Sequence, residues 1–185
     1  MICIIGKTAS GKTSIVNKLV KLHNTKQIIT YTSRPMRENE KQCVTYHYIS
    51  EYEFKQKILE GFFAEWKTYD TEFGVWYYGT ALEDIEAADD NSIVILTPAG
   101  YRDVKEKFSS DMLTSIYIYA DNSTILKRLK SRGDNENEAV RRLQHDSIDF
   151  EGIENEVDYI VYNNEDMDID NVVNRILGYM NSSTI

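Results

Sequence analysis

Short apolar runs alternate along most of the chain with segments whose apolar residues recur every three or four positions, as in strands followed by helices. The run Ile2–Ile5 contains no charged or hydroxyl side chain, which predicts a strand buried on both faces of a parallel sheet. Four more strands are predicted in QIITYT (27–32), SIVILT (92–97), LTSIYIYA (113–120) and VDYIVYN (157–163). Since helical patterns separate these runs, we expect an α/β fold with a five-stranded parallel sheet flanked by helices.

A phosphate-binding pattern joins the first strand to the first helix. Gly6–Thr13 reads G-x-x-x-x-G-K-T, and apolar residues at helical spacing follow it. In such a loop successive backbone N–H groups point into one hollow at the positive end of a helix. The Lys12 ammonium would reach the β- and γ-phosphates, and the Thr13 hydroxyl would ligate Mg²⁺. We therefore expect a nucleoside triphosphate to contact Gly6, Lys7, Thr8, Ala9, Ser10, Gly11, Lys12, Thr13 and Ser14.

Between about residues 34 and 80 the pattern changes to short aromatic runs around a single helix. The runs are VTYHYIS (44–50), FFAEWKTY (62–69) and WYYGT (76–80), and the helix is EYEFKQKILEG (51–61). These segments predict a small mixed sheet inserted into the α/β core. An insertion at the end of a sheet strand lies where ligands bind in such folds, so we interpret it as an acceptor-binding subdomain.

Composition restricts the class of protein. The 185 residues suffice for one domain, and a hydrophobic content of 42% excludes a disordered chain. The N-terminal apolar run breaks too early for a secretion signal and no segment reads as a membrane span, so we expect a cytoplasmic protein. Cys3 lies in the buried strand and Cys43 in a polar loop, and no disulfide is expected.

The charges argue for small phosphate ligands and against nucleic acid. The formal net charge is −9, from 21 basic and 30 acidic residues, whereas nucleic-acid binding depends on basic surface. The cations of interest are concentrated near loop and helix-end signals: Lys12, Arg34, Arg37, Arg128, Arg132, Arg141 and Arg142. The three histidines show no metal-ligand spacing, so beyond Thr13 we expect no metal site made of side chains.

Several short motifs, taken in order, resemble the guanylate kinase family. After the phosphate loop come TSRPMRENE (32–40), YHY (46–48), EW (65–66), YYGT (77–80) and RLKSRG (128–133). The resemblance covers nearly the whole chain and implies a single domain with the P-loop NTPase fold. Its core would be residues 1–33 and 81–185, with a helical lid at about 128–142 and a GMP-binding subdomain at 34–80. The implied reaction is transfer of the ATP γ-phosphoryl group to GMP or dGMP, with Mg²⁺, giving ADP and GDP.

The resemblance also implies the residues that bind the acceptor. The GMP phosphate would be contacted by Arg34, Arg37, Tyr46 and Tyr78, and guanine would be faced by Thr30, Glu65 and Thr80. Arginine forks match phosphate oxygens, and tyrosine hydroxyls add donors. A carboxylate can accept from guanine N1–H and N2–H₂ together, while Thr80 can donate to O6. The remaining tyrosines in these strands, Tyr31, Tyr48, Tyr69 and Tyr77, are interpreted as packing residues.

The later arginines belong, by the same resemblance, to the lid. Arg128, Arg132 and Arg142 would lie over the transferring phosphoryl group, whereas Arg141 is interpreted as a surface neighbour. Asn163 matches a position near the adenine of ATP and can equally be a turn residue at the end of a strand.

One strand departs from the family pattern. The segment matching SIVILTPAG (92–100) usually ends in an acidic pair, I-D-x-Q-G, but here Ile95 and Thr97 take those places. The loop DTEFGVW (70–76) is also longer than usual. These differences concern base selection and metal support and leave the triphosphate half unchanged.

Three functions are compatible with these patterns. The first is a GMP kinase. The second is a kinase of the same superfamily for another acceptor, such as ribose 1,5-bisphosphate, which would lack the acidic strand end but would not need a base-reading Glu65. The third is a non-catalytic interaction module that binds peptides. An intact Gly11–Thr13 segment with three lid arginines favours an enzyme.

Overall fold

The computed structural model describes residues 1–38, 40–71, 73–108, 112–133 and 136–182, with backbone alone for 136–138, 181 and 182. The helices are α1 Lys12–Leu22, α2 Glu51–Leu59, α3 Leu82–Glu86, α4 Pro98–Lys107, α5 Asn122–Ser131, α6 Glu136–Asp149 and α7 Ile169–Ser182. The strands are β1 Ile2–Ile5, β2 Lys26–Gln27, β3 Tyr31–Thr32, β4 His47–Tyr48, β5 Phe63–Thr71, β6 Gly74–Ala81, β7 Ser92–Ile95, β8 Thr114–Tyr119 and β9 Tyr159–Tyr162. None of the helices in the described part of the chain is long and apolar enough to cross a bilayer.

Five strands form the expected parallel sheet, in the order β2-β7-β1-β8-β9. Successive side chains of β1 point to opposite faces, so Cys3 and Ile5 enter one core and Ile2 and Ile4 enter the other. Helices α3 and α4 cover the first face, and α1 and α7 cover the second. Because both faces are covered, every residue of β1 is buried, as its apolar run predicted.

The segment QIITYT is not one strand, and that prediction was wrong. Lys26–Gln27 pairs with β7 in the large sheet, whereas Tyr31–Thr32 pairs with β4 and β6 in a second sheet. Residues 28–30 carry the chain from one sheet to the other. The run contains no glycine or proline, so nothing in its composition signalled the break.

The second sheet has the order β4-β3-β6-β5 and mixes parallel and antiparallel pairs, as the aromatic segment predicted. Helix α2 begins at Ser50 with a reciprocal cap: each backbone N–H of Ser50 and Glu53 donates to the other's side chain. Phe54 on this helix stacks on Phe63 of β5, with ring centroids 4.4 Å apart. The chain's two tryptophans, Trp66 and Trp76, both lie in this sheet.

Helices α5 and α6, which contain the predicted lid, pack on the phosphate loop. Ile125 and Leu129 of α5 form a small apolar core with Ala139 of α6, and Ala9 of the loop packs against it. The predicted acidic loop between the helices falls largely on residues 134–135, outside the described residues. Helix α6 continues past the predicted lid residues to Asp149.

Candidate active site

A cavity of about 600 Å³ lies between the phosphate loop, the second sheet and the lid. Seven cationic side chains line it, against four acidic ones, although the whole chain carries a net charge of −9. The cationic residues are Lys12, Arg34, Arg37, Lys67, Arg132, Arg141 and Arg142. Positive charge concentrated in one cleft of an acidic protein favours the binding of polyanions there.

The phosphate loop is held in shape from behind. Gly11 has a φ of 98°, and a Cβ at this position would collide with the Asn163 side chain, so only glycine fits. Ala9 has a φ of 51°, and its carbonyl accepts a hydrogen bond from Arg128 Nη1 at 3.2 Å. Asn163 Nδ2 donates to the carbonyl of Ser10 at 2.7 Å. The loop is thus fixed by α5 and by the residue that follows β9.

Lys12 lies at the first position of α1 and faces the cavity. Its Nζ donates to the carbonyls of Gly6 and Lys7, at 2.6 and 2.9 Å. Burial lowers the pKa of Lys12 to about 8, while the charge of Asp146 raises it and that of Arg132 lowers it. The ammonium therefore stays mainly protonated at neutral pH, as a phosphate ligand requires.

The lid reaches the cavity with three arginines, Arg132, Arg141 and Arg142. It also touches both halves of the molecule. Arg141 Nη1 donates to the carbonyl of Asp70 on β5, at 3.4 Å. Asp146 Oδ2 accepts a hydrogen bond from the backbone N–H of Thr8 in the phosphate loop, at 2.6 Å.

At the opposite wall, Arg34 is buried and held by Glu40. Its Nη1 and Nη2 donate to the two Glu40 carboxylate oxygens at 2.9 and 2.8 Å, and Nη1 also donates to the Pro35 carbonyl. These bonds use three of the five N–H donors of the guanidinium. Counting only partners among the described residues, two N–H groups are left to bind a ligand. Burial alone would raise the pKa of Glu40, but bonds from Arg34, the Arg37 amide and the Tyr48 hydroxyl lower it to about 2. Glu40 is therefore a permanent anion that orients Arg34.

Glu65 lies deeper in the cavity, on β5, and is 7% exposed. Its Oε1 accepts a hydrogen bond from the Thr80 hydroxyl at 2.6 Å. A Cβ at Gly100 would lie 2.7 Å from Oε2, so glycine at the start of α4 allows this carboxylate to approach. Burial raises the pKa of Glu65 to about 7, although the Thr80 bond lowers it. The neighbouring Thr97 hydroxyl accepts from the Gly100 amide and caps α4.

A sequence model of the family described as guanylate kinase matches residues 1–182. The chain belongs to the guanylate kinase family. It is 31% identical to a guanylate kinase of Helicobacter hepaticus over 89% of this chain and 82% of that protein. A guanylate kinase of Prochlorococcus marinus subsp. pastoris is 30% identical over 98% of this chain and 97% of its own length. The crystal structure of guanylate kinase from Anaplasma phagocytophilum shares the fold, with a TM-score of 0.72 at 19% identity, covering 100% of this chain and 86% of the other.

Membership of the guanylate kinase family makes the chain an enzyme, a nucleoside monophosphate kinase that phosphorylates GMP at the expense of ATP. The expected P-loop fold is confirmed by the parallel sheet and by this likeness. The choice among the three functions compatible with the sequence therefore falls on the GMP kinase.

Most residues that the guanylate kinase resemblance assigned to GMP face one cavity. Six of them line it: Thr30, Arg34, Arg37, Tyr46, Glu65 and Tyr78. Thr80 is fully buried and does not appear among the described lining residues. Its single hydroxyl proton is donated to Glu65, so the donor to guanine O6 that we expected from Thr80 is not available in this arrangement. Thr80 instead positions Glu65.

The residues predicted to bind ATP also fall into two groups, those that line the cavity and those that lie behind it. Gly6, Thr8, Lys12, Thr13, Arg132 and Arg142 line the cavity. Lys7, Ala9, Ser10, Gly11 and Ser14 complete the loop without lining it, and Arg128 and Asn163 lie behind it. Arg128 Nη2 also donates to the Asn163 carbonyl at 2.9 Å, so its guanidinium supports the loop instead of lining the cavity.

Two sequence interpretations were wrong about position. Arg141 is half-buried and lines the cavity, and is not a mere surface neighbour. Tyr69 also lines it, next to Tyr78, with ring centroids 5.5 Å apart, so it is not only a packing residue. Tyr31 does pack, since it stacks on His47 with ring centroids 4.5 Å apart.

Sequence reasoning missed Glu40 and Asp146. Glu40 lies three residues after Arg37, within the motif that carried the resemblance, and its charge was the available signal. Asp146 lies four residues after Arg142, one helical turn along α6, and therefore on the same face. Spacing relative to a predicted site residue could have found both.

Proposed function

We propose that the two ends of the cavity hold the two substrates of the kinase, with the ATP phosphates on the phosphate loop and GMP against the second sheet. The observation that carries this proposal is that Lys12 and Glu65 line one continuous cavity. On the donor side Lys12 binds the β- and γ-phosphates, and Arg132 and Arg142 cover the transferring group. Asn163 stays a proposed neighbour of the adenine.

On the acceptor side, Arg34 and Arg37 bind the GMP phosphate, assisted by the Tyr46 and Tyr78 hydroxyls. The π faces of Tyr46 and Tyr48 lie 5.5 and 5.7 Å from the Arg34 guanidinium, which supports its orientation. Glu65 accepts from guanine N1–H and N2–H₂, and Thr30 lines the same end.

A Mg²⁺ ion fits the donor end. Thr13 lines the cavity beside Lys12, and the described residues contain no group of three or more Asp, Glu, His or Cys that would form an all-protein cage. This donor set suits Mg²⁺, which keeps several waters and is bound by few protein oxygens together with substrate phosphates. When bound, the ion supplies positive charge to the β- and γ-phosphate oxygens.

The chemical step needs no general base. The acceptor is a phosphate oxygen that is already anionic near neutral pH, so the difficulty lies in bringing two polyanions together in line. Cations at fixed positions on both sides of the cavity reduce their repulsion and orient them. None of the histidines lines the cavity among the described residues, which agrees with a mechanism without a base.

A coupled assay with ATP and Mg²⁺ tests the proposal, using GMP, dGMP, AMP and ribose 1,5-bisphosphate as acceptors. We expect GMP and dGMP to be phosphorylated and AMP to be discriminated against by about 10⁴-fold or less, because one carboxylate reads the base. Preference for ribose 1,5-bisphosphate would instead support the sugar-phosphate kinase, which does not need Glu65.

Replacement of Lys12 tests the donor side. We expect Lys12→Ala to lower kcat by at least about 10²-fold, the effect of losing one electrostatic stabiliser, without unfolding the chain. Lys18→Ala is the matched control, since Lys18 lies on the same helix but pairs with Asp170 outside the cavity. A Lys12→Ala variant with most of its turnover would exclude Lys12 from the mechanism.

We also propose a cytoplasmic location. Both cysteines, Cys3 and Cys43, are free thiols, which agrees with a reducing compartment.

A further inference from the structure

A carboxylate of α6 is hydrogen-bonded to the phosphate loop. Asp146 Oδ2 accepts the backbone N–H of Thr8 at 2.6 Å, across 138 positions of the chain. This is the one described hydrogen bond that joins a carboxylate to a backbone N–H of the loop. Burial raises the pKa of Asp146, and the bond from Thr8 lowers it. An acidic side chain therefore sits at a loop built to bind phosphate anions.

The loop's own lysine is turned inward at the same time. Lys12 Nζ donates to two carbonyls of the loop, Gly6 and Lys7, while the charge of Asp146 acts on it from the lid side. Asp146 and Lys12 line the same cavity. In this state the loop's positive charge is balanced by the protein itself.

We propose that Asp146 is an internal occupant of the nucleotide site: its carboxylate holds α6 on the phosphate loop until the phosphates of ATP displace it. The inference rests on the proposed function, because it requires that ATP phosphates bind at this loop. A carboxylate and a phosphate cannot share the same small hollow without strong repulsion between like charges. Nucleotide binding must therefore release the Asp146–Thr8 bond and free α6, which carries Arg141 and Arg142.

The consequence is an affinity cost for ATP and a coupling between the nucleotide and the lid. Part of the binding free energy is used to release the carboxylate, so removing the carboxylate should tighten ATP binding. A residue that helped to bind ATP or its Mg²⁺ would have the opposite effect. The sign of the change in affinity distinguishes these two roles.

The test is calorimetric binding of a non-hydrolysable ATP analogue with Mg²⁺ to the full chain, in wild type, Asp146→Asn and Asp146→Ala. Asp149→Asn is the matched control. Asp149 lies on the same helix and lines the same cavity, and its replacement by Asn removes the same charge. No hydrogen bond in the described part of the chain joins Asp149 to the loop. Measurement near pH 6.5 keeps Lys12 protonated in every variant, since its pKa of about 8 falls when a neighbouring anion is removed.

We expect both Asp146 variants to bind the analogue at least about tenfold more tightly than Asp149→Asn, the scale of one hydrogen bond to a charged group. Equal or weaker binding would overturn the role of Asp146 and leave the proposed function standing. Absence of binding in wild type and in all of the variants would overturn both. Amide exchange in peptides from α6 adds a readout independent of affinity. Without nucleotide, these peptides should exchange faster in Asp146→Asn than in Asp149→Asn, and equal rates would contradict the lid contact.

Discussion

The proposed role of Glu65, accepting two hydrogen bonds from guanine, requires an ionised carboxylate, whereas burial of this side chain raises its pKa and favours the neutral form. We expect Glu65→Gln to lose about 1.5–3 kcal/mol of transition-state binding for GMP, the range for a hydrogen bond to a charged group. AMP turnover should change little, because adenine presents a lone pair at N1 and gains nothing from the carboxylate. The measurement is kcat/KM for GMP and AMP, with Glu83→Gln, at an exposed position of α3, as control. Unchanged GMP turnover would exclude the base-reading role.

The pH dependence of kcat/KM for GMP should also report the ionisation of Glu65. Glu65 has a pKa raised to about 7 by burial, so its ionised, accepting form increases as pH rises through that value. Lys12, with a pKa lowered to about 8, loses its charge above that value. We therefore expect a narrow bell-shaped profile of kcat/KM against pH, with a rising limb from Glu65 and a falling limb from Lys12. In Glu65→Gln the limb near pH 7 should disappear, while the limb of the GMP phosphate near about pH 6 remains. A limb near pH 7 that persists in this variant would assign it to another group.

At this scale the sequence predicted residue identity better than residue partners. The phosphate loop followed from glycine spacing, whereas the assignment of Arg34 and Arg37 to the acceptor came from the family resemblance and stays a prediction. The commitment of Thr80 to Glu65, and of Arg128 to the Ala9 carbonyl, depends on distances between segments far apart in the chain. Such distances have no local signal, because a hydroxyl or guanidinium has the same donors whichever partner it meets.

Among the elements, the contact between the β5–β6 hairpin and α6 joins the acceptor side to the lid. Arg141 makes it, through the carbonyl of Asp70, and also lines the cavity. We expect Arg141→Ala to lower kcat/KM for GMP by about 3–10-fold, since a partly exposed charged contact contributes about 1 kcal/mol. Arg175→Ala, an exposed arginine on α7, is the control and should stay within about twofold of wild type. An Arg141→Ala variant equal to that control would show that the contact does not contribute.

The strands β1, β7 and β8 and the helices of the core followed from hydrophobic periodicity, because these strands are mostly buried and each helix buries one face. The division of QIITYT between two sheets could not follow from it. Apart from Gln27, the run consists of β-branched and aromatic residues, which favour strands, and only tertiary pairing with β7 and with β6 separates its two halves.

For the whole molecule we expect closure of the cavity when both substrates are bound. The clustered cations of the lid and the second sheet repel one another, and the substrates' negative charge neutralises them. Closure would also exclude water, whose attack on ATP would waste the phosphoryl group. Small-angle scattering should show a smaller radius of gyration with a bisubstrate analogue than without ligand. Samples with GMP alone and with an ATP analogue alone measure how much each substrate contributes to the change in the radius of gyration. An unchanged radius at demonstrated saturation would contradict closure.

The placement of the tryptophans makes the acceptor half of the enzyme visible to fluorescence without a label. Trp66 is 41% exposed on β5, and Trp76 lines the cavity and stacks on Phe73, with ring centroids 6.3 Å apart. No other tryptophan exists in the chain, so its tryptophan emission arises entirely from this hairpin. Quenching or a spectral shift on adding GMP would report directly on the acceptor end. A nucleotide that binds only to the phosphate loop would be silent unless the second sheet moves. Stopped-flow emission could therefore separate the order of substrate binding from the motion that follows it.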